Sequence, residues 1–384
     1  MWRYIVLAAV VVSIILFGVS LIDASSSNEV RASTILMGSA DTSGFARAMD
    51  ARDWQFPRDF GPHPDYQTEW WYYTGNVATE DGRRFGFQFT IFRRGIAPGE
   101  AADGSEWRTD QLYMAHFTVG DVAGDHFFHE ERFSRGSAGL AGAAVDPAYH
   151  VWLENWEVRA LDPEAKQTQI TADTAAYGIS LTLDQVKPVA FQGDGGLSQK
   201  SDAPGNASYY YSLSRLATQG QIRIGDQTFS VDGYTWKDHE FGTSALGDDA
   251  LGWDWFGLQL DDDRELMVGQ IRLVDGERDP YFGGLLVNPD GTTEYLDAES
   301  FSIEATNTWT SPHTGAVYPS GWTIRVNPSG SAPFSLMLTP QLLDQELHGG
   351  GIAYWEGSVR ISGDVTGYGY AELTGYVDAM TGRF

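Results

Sequence analysis

Alternation of apolar and polar residues recurs along most of the chain and predicts β-strands rather than helices. Turn-forming pairs such as Asp275-Gly276 and Asp290-Gly291 separate such stretches, and no convincing long helical period is present after residue 53. The pattern is typical of an all-β protein built as an antiparallel sandwich or barrel. The clearest stretches with a period of two are Phe85–Phe92, Gln111–Val119, Gln221–Ile224 and Glu265–Leu273.

Similar segments occur twice, in the same order, and indicate a duplicated β-unit. Trp71 aligns with Trp255, and an acidic turn and a strand ending in Arg follow each of them. Each unit has about the length of an up-and-down barrel that can hold one small ligand. We therefore predict tandem domains at residues 53–240 and 241–384. The later matching landmarks are Trp156–Arg159 with Trp322–Arg325, Tyr209–Arg215 with Tyr354–Arg360, and Gly233-Tyr234 with Gly375-Tyr376.

The N-terminal sequence predicts an export signal. Residues 4–22 are apolar, with Arg3 before them and a polar Asp-Ala-Ser stretch after them. This stretch is long for the core of a signal peptide and just long enough to span a bilayer. We expect residues 1–24 to be a cleaved signal peptide or a membrane anchor, followed by a flexible tether at 25–52. Either alternative places the rest of the chain in the periplasm or outside the cell and limits membrane contact to this segment.

Charge and composition exclude several classes of site. The formal net charge is −27, and no cluster of Lys and Arg is present that could bind nucleic acid. The chain has no cysteine, which excludes disulfides, thiolate nucleophiles and Cys-bound zinc. It also lacks a Gly-x-Ser-x-Gly elbow, a His-Glu-x-x-His motif, a Walker loop and a dinucleotide-binding glycine pattern. We therefore expect no metal, nucleotide, flavin or other cofactor, while the oligomeric state stays open.

Two long motifs carry a family resemblance. Residues 56–75 read FPRDFGPHPDYQTEWWYYTG, and residues 232–244 read DGYTWKDHEFGTS. They resemble the AttH and carotenoid 1,2-hydratase (CrtC-like) family, whose bacterial members are often labelled predicted secreted hydrolases. The resemblance extends from about Trp54 to the C-terminus. It implies two lipocalin-like domains in tandem. It also implies apolar substrates, because the characterised relatives hydrate carotenoid double bonds or, in related branches, hydrate or cyclise other hydrophobic natural products.

The second motif contains the candidate catalytic residues Asp238, His239 and Glu240. On an extended strand Asp238 and Glu240 face one side and His239 the other. Asp378 aligns with Asp238 in the second copy, whereas His239 and Glu240 have no charged counterpart there. Addition of water to an alkene needs a desolvated proton donor and a group that takes a proton from water. A salt-bridged connector between domains is the structural alternative.

Aromatic residues next to carboxylates are the candidate cavity wall. Electron-rich rings can stabilise a carbocation-like centre, and a nearby carboxylate adds to the effect. When Trp71 is aligned with Trp255, Asp254 occupies the position of Trp70, one residue after the position of Glu69. A shift of one residue along a strand changes the face, so Asp254 is predicted to face the side opposite to Glu69. Packing of a barrel interior is the structural alternative. The candidates are Glu69, Trp70, Trp71, Tyr72, Trp236, Trp253, Asp254 and Trp255.

Three functions remain open from the sequence. The first is a cofactor-free hydratase that acts on an isoprenoid-like or other apolar molecule, with Asp238 as proton donor and His239 or Glu240 assisting water. The second is a non-catalytic carrier of a lipid or another hydrophobic molecule. The third is a scaffold with a solidly packed interior. Among the other histidines, His126 and His129 lie three apart on a predicted strand, hence on opposite faces, and are poorly placed to share one metal ion.

Overall fold

A computed structural model describes residues 42–98, 109–243, 246–247 and 249–380. The predicted signal or anchor at 1–24 and most of the predicted tether lie outside the described residues. Apart from one short 3-10 helix, Arg58–Phe60, the regular elements of the described residues are β-strands. None of the helices in these ranges is long and apolar enough to cross a membrane. The predicted all-β class is confirmed.

The first sheet is antiparallel and nearly closed. Its 13 strands follow the order β4-β3-β2-β1-β13-β12-β9-β8-β7-β6-β5, with β10 and β11 both paired to β12. The strands are β1 Thr68–Ala78, β2 Arg84–Gly95, β3 Gln111–Asp121, β4 His126–Arg135, β5 Ala141–Ala144, β6 His150–Leu153, β7 Trp156–Ala160, β8 Gln167–Asp173, β9 Tyr177–Gln185, β10 Ala190–Phe191, β11 Leu197–Gln199, β12 Ala207–Ile224 and β13 Gln227–Gly242.

The second sheet repeats this plan with 10 strands, in the order β17-β16-β15-β14-β25-β24-β22-β21-β18, with β23 paired to β24. Two further strands, β19 and β20, pair only with each other. The strands are β14 Ala250–Leu260, β15 Glu265–Leu273, β16 Gly284–Val287, β17 Thr293–Leu296, β18 Phe301–Ala305, β19 Thr308–Thr310, β20 Val317–Pro319, β21 Trp322–Val326, β22 Phe334–Pro340, β23 Glu346–Leu347, β24 Tyr354–Gly363 and β25 Gly367–Leu373.

The two sheets use equivalent strands in equivalent places. β1 lies between β2 and β13, as β14 lies between β15 and β25. The register pairs Trp70 with Glu240 in the first sheet and Trp255 with Glu372 in the second. Trp255 is therefore the counterpart of Trp70, and Glu372 is the counterpart of Glu240.

The predicted alignment of Trp71 with Trp255 is one residue out of register. Trp71 belongs to the core of the first barrel, whereas Trp255 belongs to a cluster between the sheets, and Phe256 occupies the place of Trp71 in the second core. A shift of one residue along a strand moves every side chain to the opposite face. Asp378, predicted to match Asp238, lies beyond the end of β25.

Each barrel has its own hydrophobic core, and a third cluster joins them. That cluster contains Tyr72, Tyr210, Trp236, Trp255 and Tyr370, which come from both sheets. The backbones also approach closely, because a Cβ added to Gly86 of β2 would lie 2.6 Å from Ser358 Cβ of β24. The outer face of the first sheet thus packs on the second, and this contact positions the site.

Candidate functional site

A cavity of about 130 Å³ lies between the two sheets. It is comparable in volume to an apolar cavity that accommodates a single benzene ring. Both sheets supply its wall, so the candidate site depends on their packing. Its aromatic wall includes Trp70, Tyr72, Phe92, Tyr210, Trp253 and Trp255, and its carboxyl groups are those of Asp238, Glu240 and Glu372.

Asp238 is held in the cavity wall by three donors. Ser212 Oγ donates to Oδ1 at 2.6 Å, Trp236 Nε1 to Oδ1 at 2.7 Å and Tyr210 Oη to Oδ2 at 2.7 Å. Burial disfavours the charged form and raises the pKa of Asp238 to about 7, although these hydrogen bonds lower it. Near neutral pH the group therefore exchanges between acid and carboxylate, as a general acid or base must.

Glu240 lies two residues further along the same face of β13. Its Oε1 is 2.8 Å from Lys200 Nζ and accepts a short hydrogen bond from Ser208 Oγ. Lys200 also lines the cavity and lies over the ring of Phe282, 4.9 Å from its centroid. Glu240 thus has a cation beside it, whereas Asp238 is held by neutral donors alone among the described residues.

The second sheet contributes a pair of buried carboxyl groups that the sequence analysis missed. Glu356 on β24 and Glu372 on β25 are directly paired across the strands. Burial raises the pKa of Glu372 to about 8, and the charges of Asp238 and Glu240 raise it further while Trp253 lowers it. Burial and Glu372 also raise the pKa of Glu356, whose Oε1 accepts a 2.7 Å hydrogen bond from Tyr72. The pair therefore holds protons at neutral pH.

His239 does not reach the cavity. It faces the interior of the first barrel, where its Nε2 lies 2.8 Å from Glu69 Oε1 and its Nδ1 lies 2.8 Å from Tyr211 Oη. Burial lowers the pKa of His239 to about 4, although Glu69 raises it. The ring also stacks on Trp71. The strand therefore separates its three candidate catalytic residues as the period of two predicts, and His239 can affect the cavity only by positioning β13.

Glu69 is the centre of that interior network. Arg93 Nε donates to it at 2.8 Å, and His63 Nδ1 lies 2.9 Å from it. Burial would raise the pKa of Glu69, but Arg93 and the two histidines hold it well below its usual range. Asp59 contacts the other ring nitrogen of His63 at 3.1 Å, and the hydrogen bonds of His63 to Asp59 and Glu69 raise its pKa against the effect of burial.

The donor atoms of His63, Glu69 and His239 lie within 4.8 Å of one another, which is close enough for one metal ion. Each of these atoms already has a partner inside the network, and the Arg93 guanidinium supplies the positive charge beside Glu69. The three candidate ligand groups are therefore already paired, and a metal would have to displace those hydrogen bonds.

The aromatic candidates fall into two groups. Trp70, Tyr72, Trp253 and Trp255 line the cavity, whereas Trp71 is in the first core. Trp236 supports the wall from behind, through its bond to Asp238 and an edge contact with Trp255.

Asp254 is outside the cavity wall and is the counterpart of Glu69. Its Oδ1 contacts Arg272 Nε at 3.2 Å and accepts a 2.9 Å bond from Tyr376, just as Glu69 pairs with Arg93. The expectation that these two carboxylates face opposite sides of their barrels is corrected, because each faces its own barrel interior beside an arginine. The signal available in the sequence was the Arg that ends the next strand in both copies.

The model of the AttH-like family matches residues 47–376. The crystal structure of an AttH protein from Nitrosomonas europaea is similar at 31% identity and a TM-score of 0.76, covering 87% of this chain and 100% of that one. No curated protein sequence matches significantly.

Two more distant structures share the fold. Kievitone hydratase from Nectria haematococca has 15% identity and a TM-score of 0.63, over 87% of this chain and 98% of that one. CghA, solved with Sch210972, has 12% identity and a TM-score of 0.50, over 90% of this chain and 98% of that one.

Proposed function

The chain belongs to the AttH-like family, and from that premise we propose that it is a hydratase-like acid–base enzyme acting on an apolar small molecule between its two barrels. The observation that supports this most is Asp238, a carboxyl group with a pKa of about 7 in an aromatic cavity wall. Kievitone hydratase, which shares the fold, is named for the addition of water.

The proposed reaction starts with proton transfer from Asp238 to one carbon of a C=C bond. The other carbon becomes electron-deficient, and the faces of Trp70, Trp253 and Trp255 lie in the wall to stabilise it. Water then forms the new C–O bond and gives up a proton to a carboxylate. Glu240, on the same face as Asp238, is the group we assign to that step. Return of this proton from Glu240 to Asp238 restores the enzyme, and the net change is addition of one water molecule to the substrate.

The site restricts the substrate by size and polarity. A cavity of about 130 Å³ holds one ring or a short branched end, so a longer isoprenoid would enter by its terminus. Cofactor-free proton transfer suits an uncharged alkene, because burying an anion beside Asp238, Glu240 and Glu372 would be strongly unfavourable. An isoprenoid-like end group meets both conditions.

The deciding experiment uses the purified protein and the molecule that co-purifies with it, identified by mass spectrometry. Incubation in ¹⁸O-water should place the label in a hydrated product. The Asp238→Asn variant should keep the bound molecule and lose at least 100-fold in hydration rate. A matched control, Glu304→Gln, removes an exposed carboxylate that pairs with Arg325 and should react normally.

A carrier is the second candidate, supported by the mainly apolar cavity wall. It predicts a bound molecule that never acquires the label, in the wild type as in Asp238→Asn. Wild-type hydration with unchanged turnover in Asp238→Asn would remove Asp238 from the mechanism.

We also propose that the protein is exported, on the strength of the apolar stretch at residues 4–22. Sequencing the N-terminus of the protein from its host tests this and separates the two alternatives. A mature chain that starts at Ser25 indicates a cleaved signal peptide. A chain that starts at Met1 and is found in the membrane fraction indicates an anchor, and one found in the cytoplasm contradicts export.

A further inference from the structure

Three of the eight histidines meet at the seam between the two barrels, away from the cavity wall. His129 comes from β4 of the first sheet, and His348 follows β23 of the second. His313, in the turn between β19 and β20, stacks on His348 with 3.9 Å between ring centroids. The two sheets thus present imidazole rings to each other.

The rings of His129 and His348 contact each other through their Nε2 atoms. His129 Nε2 and His348 Nε2 are 3.4 Å apart, and the ring planes are inclined by 69°. This contact meets the criteria for a hydrogen bond, but it is longer than the roughly 2.7–3.2 Å that is usual for N–H···O bonds. Two imidazole nitrogens, each about 2.1 Å from one tetrahedral ion, are about 3.4 Å apart. The spacing is therefore that of two ligands of one metal ion.

The surroundings favour a cation. Burial lowers the pKa of His129 to about 4, and His348, His116 and His313 lower it further. Burial and His313 also lower the pKa of His348, against the effects of Glu346 and Asp344. Both shifts favour the neutral imidazole, which is the form that binds metals. The carboxylates whose charges act on these rings are Asp344 and Glu346.

His313 supports this pair without completing it. A metal lies in the plane of each ring that binds it, so two stacked rings do not share an ion in this arrangement. His313 instead contacts Asp344 Oδ2 through Nε2 at 2.8 Å and keeps its ring on His348. Water can fill the remaining positions, because His348 is only partly buried.

We propose that His129 and His348 bind one divalent transition-metal ion of the kind that prefers imidazole, such as Cu²⁺, Ni²⁺ or Zn²⁺, and that this ion joins the two barrels at their seam. The proposal is compatible with the expectation that His126 and His129 are poorly placed to share one metal ion. That expectation considered only His126 on the same strand, whereas the partner comes from a residue more than 200 positions away.

The test is calorimetric titration of the metal-free protein with Cu²⁺ and Zn²⁺. One ion should bind per chain, and His129→Gln and His348→Gln should each weaken binding at least tenfold. His126→Gln, three residues earlier on β4 and exposed, is the matched control and should bind as the wild type does. Circular dichroism establishes that each variant is folded.

A second measurement does not depend on affinity. The electron paramagnetic resonance spectrum of the Cu²⁺ complex should show two imidazole nitrogens in the wild type and fewer in either variant. The ion should also raise the unfolding temperature of the wild type and not that of the variants. Equal binding by the wild type and His129→Gln, or a wild-type spectrum without imidazole coupling, would overturn the proposal.

Discussion

The two faces of β13 hold ionisable groups in opposite electrostatic environments. On the inner face, His239 meets Glu69, whose charge is matched by the Arg93 guanidinium at 2.8 Å. On the outer face, Asp238 has three neutral donors and faces Glu372 across the cavity. Both environments are buried, yet the pKa of Glu69 falls and that of Asp238 rises. The difference shows that burial alone does not set the protonation state, because a paired cation reverses its effect.

This contrast separates a structural cluster from a chemical one. The inner network contains a charged pair, Glu69 and Arg93, and hydrogen bonds to His63 and His239, so it fixes the 3-10 helix, β1 and β13 relative to one another. On the cavity side, burial raises the pKa of Asp238 to about 7 and that of Glu372 to about 8, so these two groups can exchange protons with a bound molecule near neutral pH. Changing one group at a time on each face tests whether the distinction holds.

The largest effect is expected from Glu69→Gln. The variant leaves Arg93 buried without its carboxylate and leaves His63 with Asp59 alone, and loss of one partner from a buried ion pair costs about 3–5 kcal/mol. Chemical denaturation at pH 7 measures this as a drop in the free energy of unfolding. As a control, Glu304→Gln breaks an exposed pair with Arg325 and should change that free energy by less than about 0.5 kcal/mol. Similar losses in the two variants would show that the inner network is not a structural cluster.

The second largest expected effect is a pH dependence of the free energy of unfolding that originates from the carboxyl groups of the cavity. Because the folded protein raises the pKa of Glu372 to about 8, it binds this proton more tightly than the unfolded chain, whose value is near 4.5. The stabilisation is fully present below pH 4.5 and is lost as the pH rises through about 8. Between pH 5 and pH 9 the wild type should lose about 4 kcal/mol more than Glu372→Gln.

Denaturation curves at several pH values measure that difference. Asp238→Asn should also reduce the loss of stability with rising pH. Its effect should be confined to pH values up to about 7, where Asp238 loses its proton in the folded protein. Parallel curves for the wild type and Glu372→Gln would mean that Glu372 is ionised in the folded protein at neutral pH. The assignment of a protonated carboxyl pair would then fail.

Much of this arrangement follows from the sequence, and the remainder depends on register. The period of two in the second motif places Asp238 and Glu240 on one face and His239 on the other, as the structure has them. Matching Trp71 to Trp255 failed because identity of residue type was preferred to strand register. Register is determined by pairing with distant strands, which a local pattern does not contain.

The same limitation hid Glu372. Its strand, GYGYAEL, contains one carboxylate among small and apolar residues. That pattern signals a buried acid, but it does not show that the acid lies across from Asp238. The seam histidines are a similar case, because His129 and His348 meet only when the two barrels pack.

The smallest expected effect concerns Lys237, a buried ionisable group on the inner face of β13 that has no oppositely charged partner among the described residues. Its ammonium group lies among the rings of Phe60, Tyr149, Tyr73 and Tyr211, between 4.8 and 5.8 Å from their centroids. Burial lowers the pKa of Lys237 to about 7, because no carboxylate of the described residues lies beside the ammonium group to stabilise its charge. In Asp238 burial also favours the neutral form, but there it raises the pKa.

Folding therefore removes much of the charge of Lys237 at neutral pH, and Lys237→Met should stabilise the protein by about 1–3 kcal/mol at pH 7. The unfolded chain binds this proton up to about pH 10.5, so wild-type stability rises between pH 7 and pH 10.5, and the advantage of the variant shrinks over the same range. Denaturation at pH 7 and pH 10 measures both quantities. If Lys237→Met is less stable than the wild type at pH 7, the attraction between the ammonium group and its four rings exceeds the cost of burying it, and the inner face tolerates an unpaired charge.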